Sequence, residues 1–197
     1  MVWRIPKNSL AKIKQTLKKN HEICGICIGK DGDILELEYI DNGPPIEKGE
    51  VGSCRSTNKW INFHTHPTIV WPWPSTEDVF KVLRKRDGKP LYGSLIFTEW
   101  GIWEIYAANK VEDSYLTEIE ESWTQYTSDK LFYDLELTPK SKPPAFSKAS
   151  EHIISYLDKW SEIFWDIGLD ICLTSWNGLE QDQSYQLQTE LSTLPSE

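Results

Sequence analysis

Residues 61–80 read INFHTHPTIVWPWPSTEDVF. His64 and His66 stand two residues apart, and Ser75 and Asp78 follow a proline-rich segment. In an extended strand, residues i and i+2 point to the same face. The two imidazoles therefore project side by side and can chelate one small cation. Asp78 falls in the first turn of the helix expected after the prolines. If that loop folds back, the carboxylate returns over the histidine face. Zinc held by three protein ligands keeps a fourth position for water, and such water ionises near neutral pH. A base must take and return the proton. Glu22 heads an otherwise apolar strand, EICGICIG, where pairing with that water would justify its burial. The Ser75 hydroxyl can donate to an oxygen that becomes negative in the transition state.

Plainer readings stand beside this one. Ser75 to Asp78 is also a capping-box pattern with Asp in place of Glu. A bare His-x-His occurs as surface decoration, and Glu22 alone reads as a solvated strand end. Cys24 and Cys27 lie three apart, so in a strand their sulfurs diverge, and buried packing is the expected role. Cys54 lies near the histidine strand in sequence and reads as a loop or core thiol. Trp71 and Trp73 read either as exposed substrate contacts or as a hydrophobic lid. His21 and His152 have no readable partner.

The positioning elements follow from periodicity. PKNSLAKIKQTLKKN predicts a helix with Leu10, Ile13 and Leu17 on one face and Asn8 or Ser9 as cap. Residues 22–29 and 34–40 predict a hairpin across KDGD. Residues 41–58 read as a loop and 59–66 as the histidine strand. The prolines in PTIVWPWP forbid its continuation. A helix is expected from Thr76 to about Arg86, ended by Gly88. LYGSLIFT and GIWEIYAA predict two strands across EWG. Beyond these, residues 112–136 read as acidic helix and LTPKSKPPAFSKA as a linker. A long helix follows, with an apolar stripe of Ile153, Ile154, Leu157, Trp160, Ile163, Phe164 and Trp165. LDICLTSW predicts a last strand, and the tail after Gly178 reads as polar and mobile.

Charge divides the chain near residue 110. Residues 1–110 hold 16 Lys and Arg against 13 Asp and Glu, net +3, whereas residues 111–197 hold 5 against 17, net −12. Phosphate repels such acidity, so no nucleic-acid role is expected, and the acidic part suits a basic protein partner. No apolar run reaches the roughly 18 residues of a membrane helix, so no membrane association is expected. The N-terminus shows no signal peptide. Four cysteines in 197 residues fit a reducing cytoplasmic or nuclear setting better than a disulfide scaffold.

HEICGICIGK, then FHTHP, then STED together resemble the JAMM (MPN-plus) zinc metalloprotease signature: Glu-x-x-Gly-x-x-x-Gly, His-x-His-Pro and Ser-x-x-Asp. The order of predicted elements is similar too, and the resemblance covers about residues 5–107. It implies Glu22 as general base and acid, His64, His66 and Asp78 as ligands of Zn2+, and Ser75 as oxyanion donor. It implies an α/β (α+β) JAMM/MPN-type core over residues 1–110, with a mixed, mostly antiparallel sheet flanked by helices. Residues 111–197 are then an acidic, mainly helical C-terminal extension with one final strand. The implied activity is isopeptidase or deubiquitinase cleavage at the C-terminus of ubiquitin or a ubiquitin-like protein. Residues 111–197 would bind a protein partner or a second copy. Two departures stand out. Eight residues separate His66 from Ser75 where the family usually has seven. Residues 87–105 are too short for the insertion by which some members clamp ubiquitin. A catalytically silent scaffold, or a zinc peptidase for cell-wall or small-molecule amides, would use the same fold.

Overall fold

The computed structural model describes residues 3–31, 33–46, 61–82, 85–86, 89–90, 93–107, 113–138, 141–166, 168–179 and 184–186. The N-terminal half runs β1 (Arg4–Pro6), α1 (Lys7–Thr16), β2 (Ile23–Lys30), β3 (Ile34–Asn42), β4 (Ile61–Thr65), α2 (Thr76–Phe80), a short ribbon of β5 (Lys85–Arg86) and β6 (Lys89–Pro90), then β7 (Gly93–Phe97) and β8 (Gly101–Ala107). The remainder runs α3 (Asp113–Gln125), a π-helical turn (Tyr126–Lys130), α4 (Leu131–Asp134), α5 (Phe146–Asp166), β9 (Leu169–Ser175), α6 (Trp176–Leu179) and β10 (Ser184–Gln186).

The protein is α+β, with a mixed eight-stranded sheet in the order β10-β1-β3-β2-β4-β7-β8-β9. β1 with β3 and β4 with β7 are parallel, and the other pairs are antiparallel. Alternation along the strands sends side chains into two separate cores. Ile61, Phe63, Leu95, Phe97 and Ile102 pack with Leu10, Ile13 and Leu17 under α1. Ile96, Trp103 and Ile105 pack on the opposite face with Val79, Phe80, Leu116, Trp123, Ile153 and Phe164. His64 is an even-numbered residue of β4, like Ile96 of β7. It therefore shares the face covered by α2 to α5.

Several local expectations change. The cap of α1 is Pro6, in extended conformation, with no side-chain hydrogen bond. β1 leads straight into the helix, so neither Asn8 nor Ser9 is needed. α2 stops at Phe80 rather than about Arg86. Val82 is drawn into the same core as Val79 and Phe80, and residues 85–86 pair with 89–90. Packing and pairing override helix propensity there. Gly88 and Cys54 lie outside the described residues, as does most of the expected loop 41–58, of which 41–42 belong to β3.

On α5, Ile153 and Phe164 are buried as expected and Leu157 is partly so. Ile154, however, is 52% exposed, and Tyr156 takes an inward place. The side chains of Trp160, Ile163 and Trp165 lie outside the described residues. The tail is not wholly free: Tyr185 is buried, and β10 pairs with β1. Cys24 is disulfide-bonded, whereas Cys27 and Cys172 are free thiols. The expectation of reduced cysteines throughout therefore fails at Cys24. No helix among the described residues is long and apolar enough to cross a membrane.

The charge step near residue 110 does not coincide with a break in the sheet. β9 pairs with β8 along its whole length, from Gly101↔Ser175 to Ala107↔Leu169. Tyr185 of β10 donates a hydrogen bond to the buried Glu104 of β8, which Tyr106 also reaches at 2.9 Å. Burying side chains such as Ile153 and Phe164 stabilises by roughly 1.5–3 kcal/mol each before entropy is subtracted. Truncation after residue 110 would strip β8 of its neighbour and uncover the core under α3 to α5. The truncated chain is expected to be unfolded or insoluble. A soluble fragment with a cooperative thermal transition near that of the whole chain would contradict this.

Candidate metal centre

Two strands, one loop and one helix start build the site. β2 and β4 are antiparallel neighbours with Cys24 opposite His64. Glu22 precedes β2 and His66 follows β4 at the same end of this pair, close enough for the Glu22 charge to act on His66. The Ile23 N–H donates to Thr65 Oγ1 at 2.9 Å, which locks the two strand ends together. Gly25 follows at a register shift. A Cβ there would stand 2.0 Å from the Glu38 carbonyl oxygen and 2.4 Å from the Phe63 ring. The Glu-x-x-Gly spacing thus has a steric reason: only glycine lets Phe63 lie against the strand that carries Glu22.

Asp78 comes from α2. Ser75 caps this helix in a full capping box: Asp78 N–H donates to Ser75 Oγ at 3.2 Å, and Ser75 N–H donates to Asp78 Oδ2 at 2.9 Å. The Ser75 hydroxyl also donates to Oδ2, at 2.7 Å. Its one proton is therefore committed to the carboxylate. The plain reading of the Ser75–Asp78 spacing is realised, and it serves the site by fixing the carboxylate.

The donor atoms converge. His64 Nε2 lies 3.2 Å from His66 Nε2 and 3.2 Å from Asp78 Oδ1, and His66 Nε2 lies 3.4 Å from Asp78 Oδ2. A tetrahedron with zinc–nitrogen bonds of about 2.0–2.1 Å has edges of about 3.3–3.4 Å. The His64–His66 and His64–Asp78 Oδ1 separations lie close to such an edge, and the His66 contact is made to the other carboxylate oxygen, so Asp78 spans the two imidazoles. All three side chains are buried, and so is Glu22, at 5% exposure. His66 Nδ1 donates to the Trp71 carbonyl at 3.0 Å, because a carbonyl only accepts. In the neutral ring the Nε2 lone pair then faces the cluster. Two imidazole nitrogens and a carboxylate pointed at one another need a shared proton or a cation between them. These residues fit a divalent metal ion, and their imidazole and carboxylate donors suit zinc among others.

Electrostatics pull the two imidazoles in opposite directions. Burial dominates at His64 and lowers its pKa, which favours the neutral ligand form. At His66 burial also works downward. The hydrogen bond and charge of Asp78, the charge of Glu22 and the Trp71 carbonyl overcome it, and the pKa rises. Burial would raise Asp78, but the two imidazoles hold it well below the usual carboxylate range. Lys81 Nζ sits 3.6 Å from Asp78 Oδ1. Its i+3 position on the same helix was a readable signal. The Trp71 carbonyl, a backbone group, had none in the side-chain pattern.

The tryptophans are neither exposed contacts nor a free lid. Trp73 is buried and Trp71 partly buried, and the two are stacked with centroids 5.0 Å apart. His152 finds a carboxylate, with Nδ1 3.8 Å from Asp134 Oδ2, far along the chain from the metal ligands.

Ser75→Ala should weaken metal binding by roughly 10–100-fold, the usual effect of removing an outer-shell partner. It should also cost about 1 kcal/mol of stability as a lost cap. Titration with zinc against a competing chelator, together with thermal melts, checks both. Unchanged affinity would leave Ser75 as a cap alone.

The chain matches no family model, no characterised protein and no solved structure.

Proposed function

We propose that the protein is a zinc-dependent hydrolase of the JAMM type, an isopeptidase or peptidase that cleaves an amide at the C-terminus of ubiquitin or a ubiquitin-like protein. The observation that carries this reading is the buried donor set of His64, His66 and Asp78, with the buried Glu22 near enough for its charge to act on His66. A hydrolytic centre has a use for each of these four polar groups.

When bound, zinc supplies Lewis acidity and a coordinated water with a pKa near 7. The chain's own groups do the rest. Ser75 and its backbone N–H hold Asp78 through Oδ2, and the Trp71 carbonyl holds His66 in one tautomer. Glu22, the buried carboxylate that stays outside the donor triangle, accepts the proton of the attacking water. It delivers that proton to the departing amine as the C–N bond breaks, so one water is consumed and a carboxylate and an amine are released. The acidic exterior of residues 111–197 favours a basic partner surface, and that attraction weakens as salt rises.

The test is incubation of the full chain with a panel of ubiquitin-like fusions and isopeptide conjugates, with and without a zinc chelator. Chelator-sensitive cleavage at the tail supports the proposal. Stoichiometric metal without cleavage of any ubiquitin-like substrate would remove the substrate assignment, and cleavage of small amides instead would redirect it. Absence of both metal and cleavage would leave the scaffold reading.

A further inference from the structure

We propose that Phe132, on α4 in the acidic C-terminal region, is a positioning residue for the metal centre. It fixes Trp71, whose backbone carbonyl orients His66. The inference rests on the metal-binding reading of His64, His66 and Asp78, and it deepens that reading by making residues beyond the signature part of the site.

The Trp71 carbonyl belongs to the peptide unit that joins Trp71 to Pro72. Its aim depends on how both ends of that unit are held. The prolines at 67, 72 and 74 lack N–H groups, so this loop has few backbone hydrogen bonds of its own. Thr68 N–H donates to the Leu17 carbonyl and Val70 N–H to the Pro67 carbonyl, each at 2.9 Å. Neither reaches the Trp71–Pro72 unit. On the Pro72 side, the indole N–H of Trp103 donates to the Pro72 carbonyl at 2.9 Å. On the Trp71 side, the restraint is the aromatic stack. Phe132 meets the Trp71 ring edge-on, with centroids 4.7 Å apart at 71°, and meets Trp73 at 6.0 Å and 84°. Trp73 in turn leans on Trp100 at 5.6 Å.

Remove the Phe132 ring and Trp71 loses this edge-on contact, keeping its stack on Trp73. A residue before proline is confined to extended backbone, but within that basin the carbonyl can still swing. His66 Nδ1 then loses a fixed acceptor. Removing such an outer-shell partner from a metal-bound histidine typically costs 10–100-fold in affinity. α3 supports the other ligand segment as well: Thr76, the first residue of α2, shares a hydrogen bond of 2.7 Å with Thr124. The helices after residue 112 thus brace both the loop behind His66 and the helix that carries Asp78.

The experiment uses the full chain loaded with Co2+, read by its visible d–d absorption and by the rate of cobalt release to a chelator. Phe132→Ala should release cobalt about tenfold faster, at the lower end of the outer-shell range, with an altered absorption band. Phe132→Tyr keeps the ring edge and should behave as wild type. Phe132→Leu keeps most of the volume without the ring and guards against a folding failure of the alanine variant. It should also release faster. Ile153→Ala, in the same apolar cluster, should lower the melting temperature without changing release or spectrum. Wild-type release and spectrum in the leucine variant would overturn the inference, as would equal acceleration by Ile153→Ala. A wild-type chain that takes up no cobalt would overturn the metal reading itself, a separate outcome.

Discussion

Purified protein is expected to carry one zinc ion per chain, and His64→Ala, His66→Ala and Asp78→Ala are each expected to lose it. The physical reason is the convergence of two imidazole nitrogens, 3.2 Å apart, with the two oxygens of Asp78 at 3.2 and 3.4 Å, all on buried side chains. Removing one donor leaves two protein ligands and an imperfect shell. The loss in affinity should exceed the roughly 100-fold that marks the upper end for outer-shell partners. Metal analysis after gel filtration, followed by competition titration, measures this directly. Zinc also competes with protons at the same nitrogens. His66 is raised by its acidic neighbours once burial is overcome, so affinity should climb with pH until that ring is neutral and level off above. Zinc retained by all three alanine variants would place the ion elsewhere.

Glu22→Gln should keep metal and fold but lose hydrolysis by on the order of 10²–10⁴, the usual worth of a positioned general base. Gln is close to isosteric, and Glu22 lies outside the donor triangle, so zinc content should match wild type. Burial at 5% exposure lets the neutral amide sit where the carboxylate was without a desolvation penalty larger than the original. What is lost is the proton acceptor. The comparison needs single-turnover rates on whichever substrate the panel reveals, with metal content measured on the same preparation. Near-normal turnover with full zinc would reject the role given to Glu22.

Local chemistry was legible in the linear sequence because local chemistry has a short period. The two-residue repeat placed His64 and His66 on one face, alternation marked β3, and apolar runs broken by turns marked β2 and the β7–β8 pair. The helix start at Ser75 and Asp78 was visible from the cap pattern, as was the buried stripe through Ile153 and Phe164. Each signal spans fewer than about two dozen residues and depends only on how side chains project from regular backbone. The donor set could therefore be named before any strand was paired.

What lay beyond that reach was decided by contacts between distant residues. β1 and β10 are three residues each, too short to show a period, and they exist as strands because β1 pairs with β3 and β10 with β1. α2 ends early, and residues 85–86 pair with 89–90 instead of continuing it. The Ser75 hydroxyl turns to Asp78, and the Trp71 carbonyl to His66, through angles that no residue type encodes. Above all, the abrupt change in charge near residue 110 suggests a boundary that the sheet does not respect. Charge records which side chains meet water, whereas β9 joins β8 through backbone hydrogen bonds that carry no trace in composition. The residues of the candidate metal centre were determined by sequence and spacing. The contact of the acidic C-terminal helices with the loop behind His66 was decided only when tertiary packing set Phe132 against Trp71.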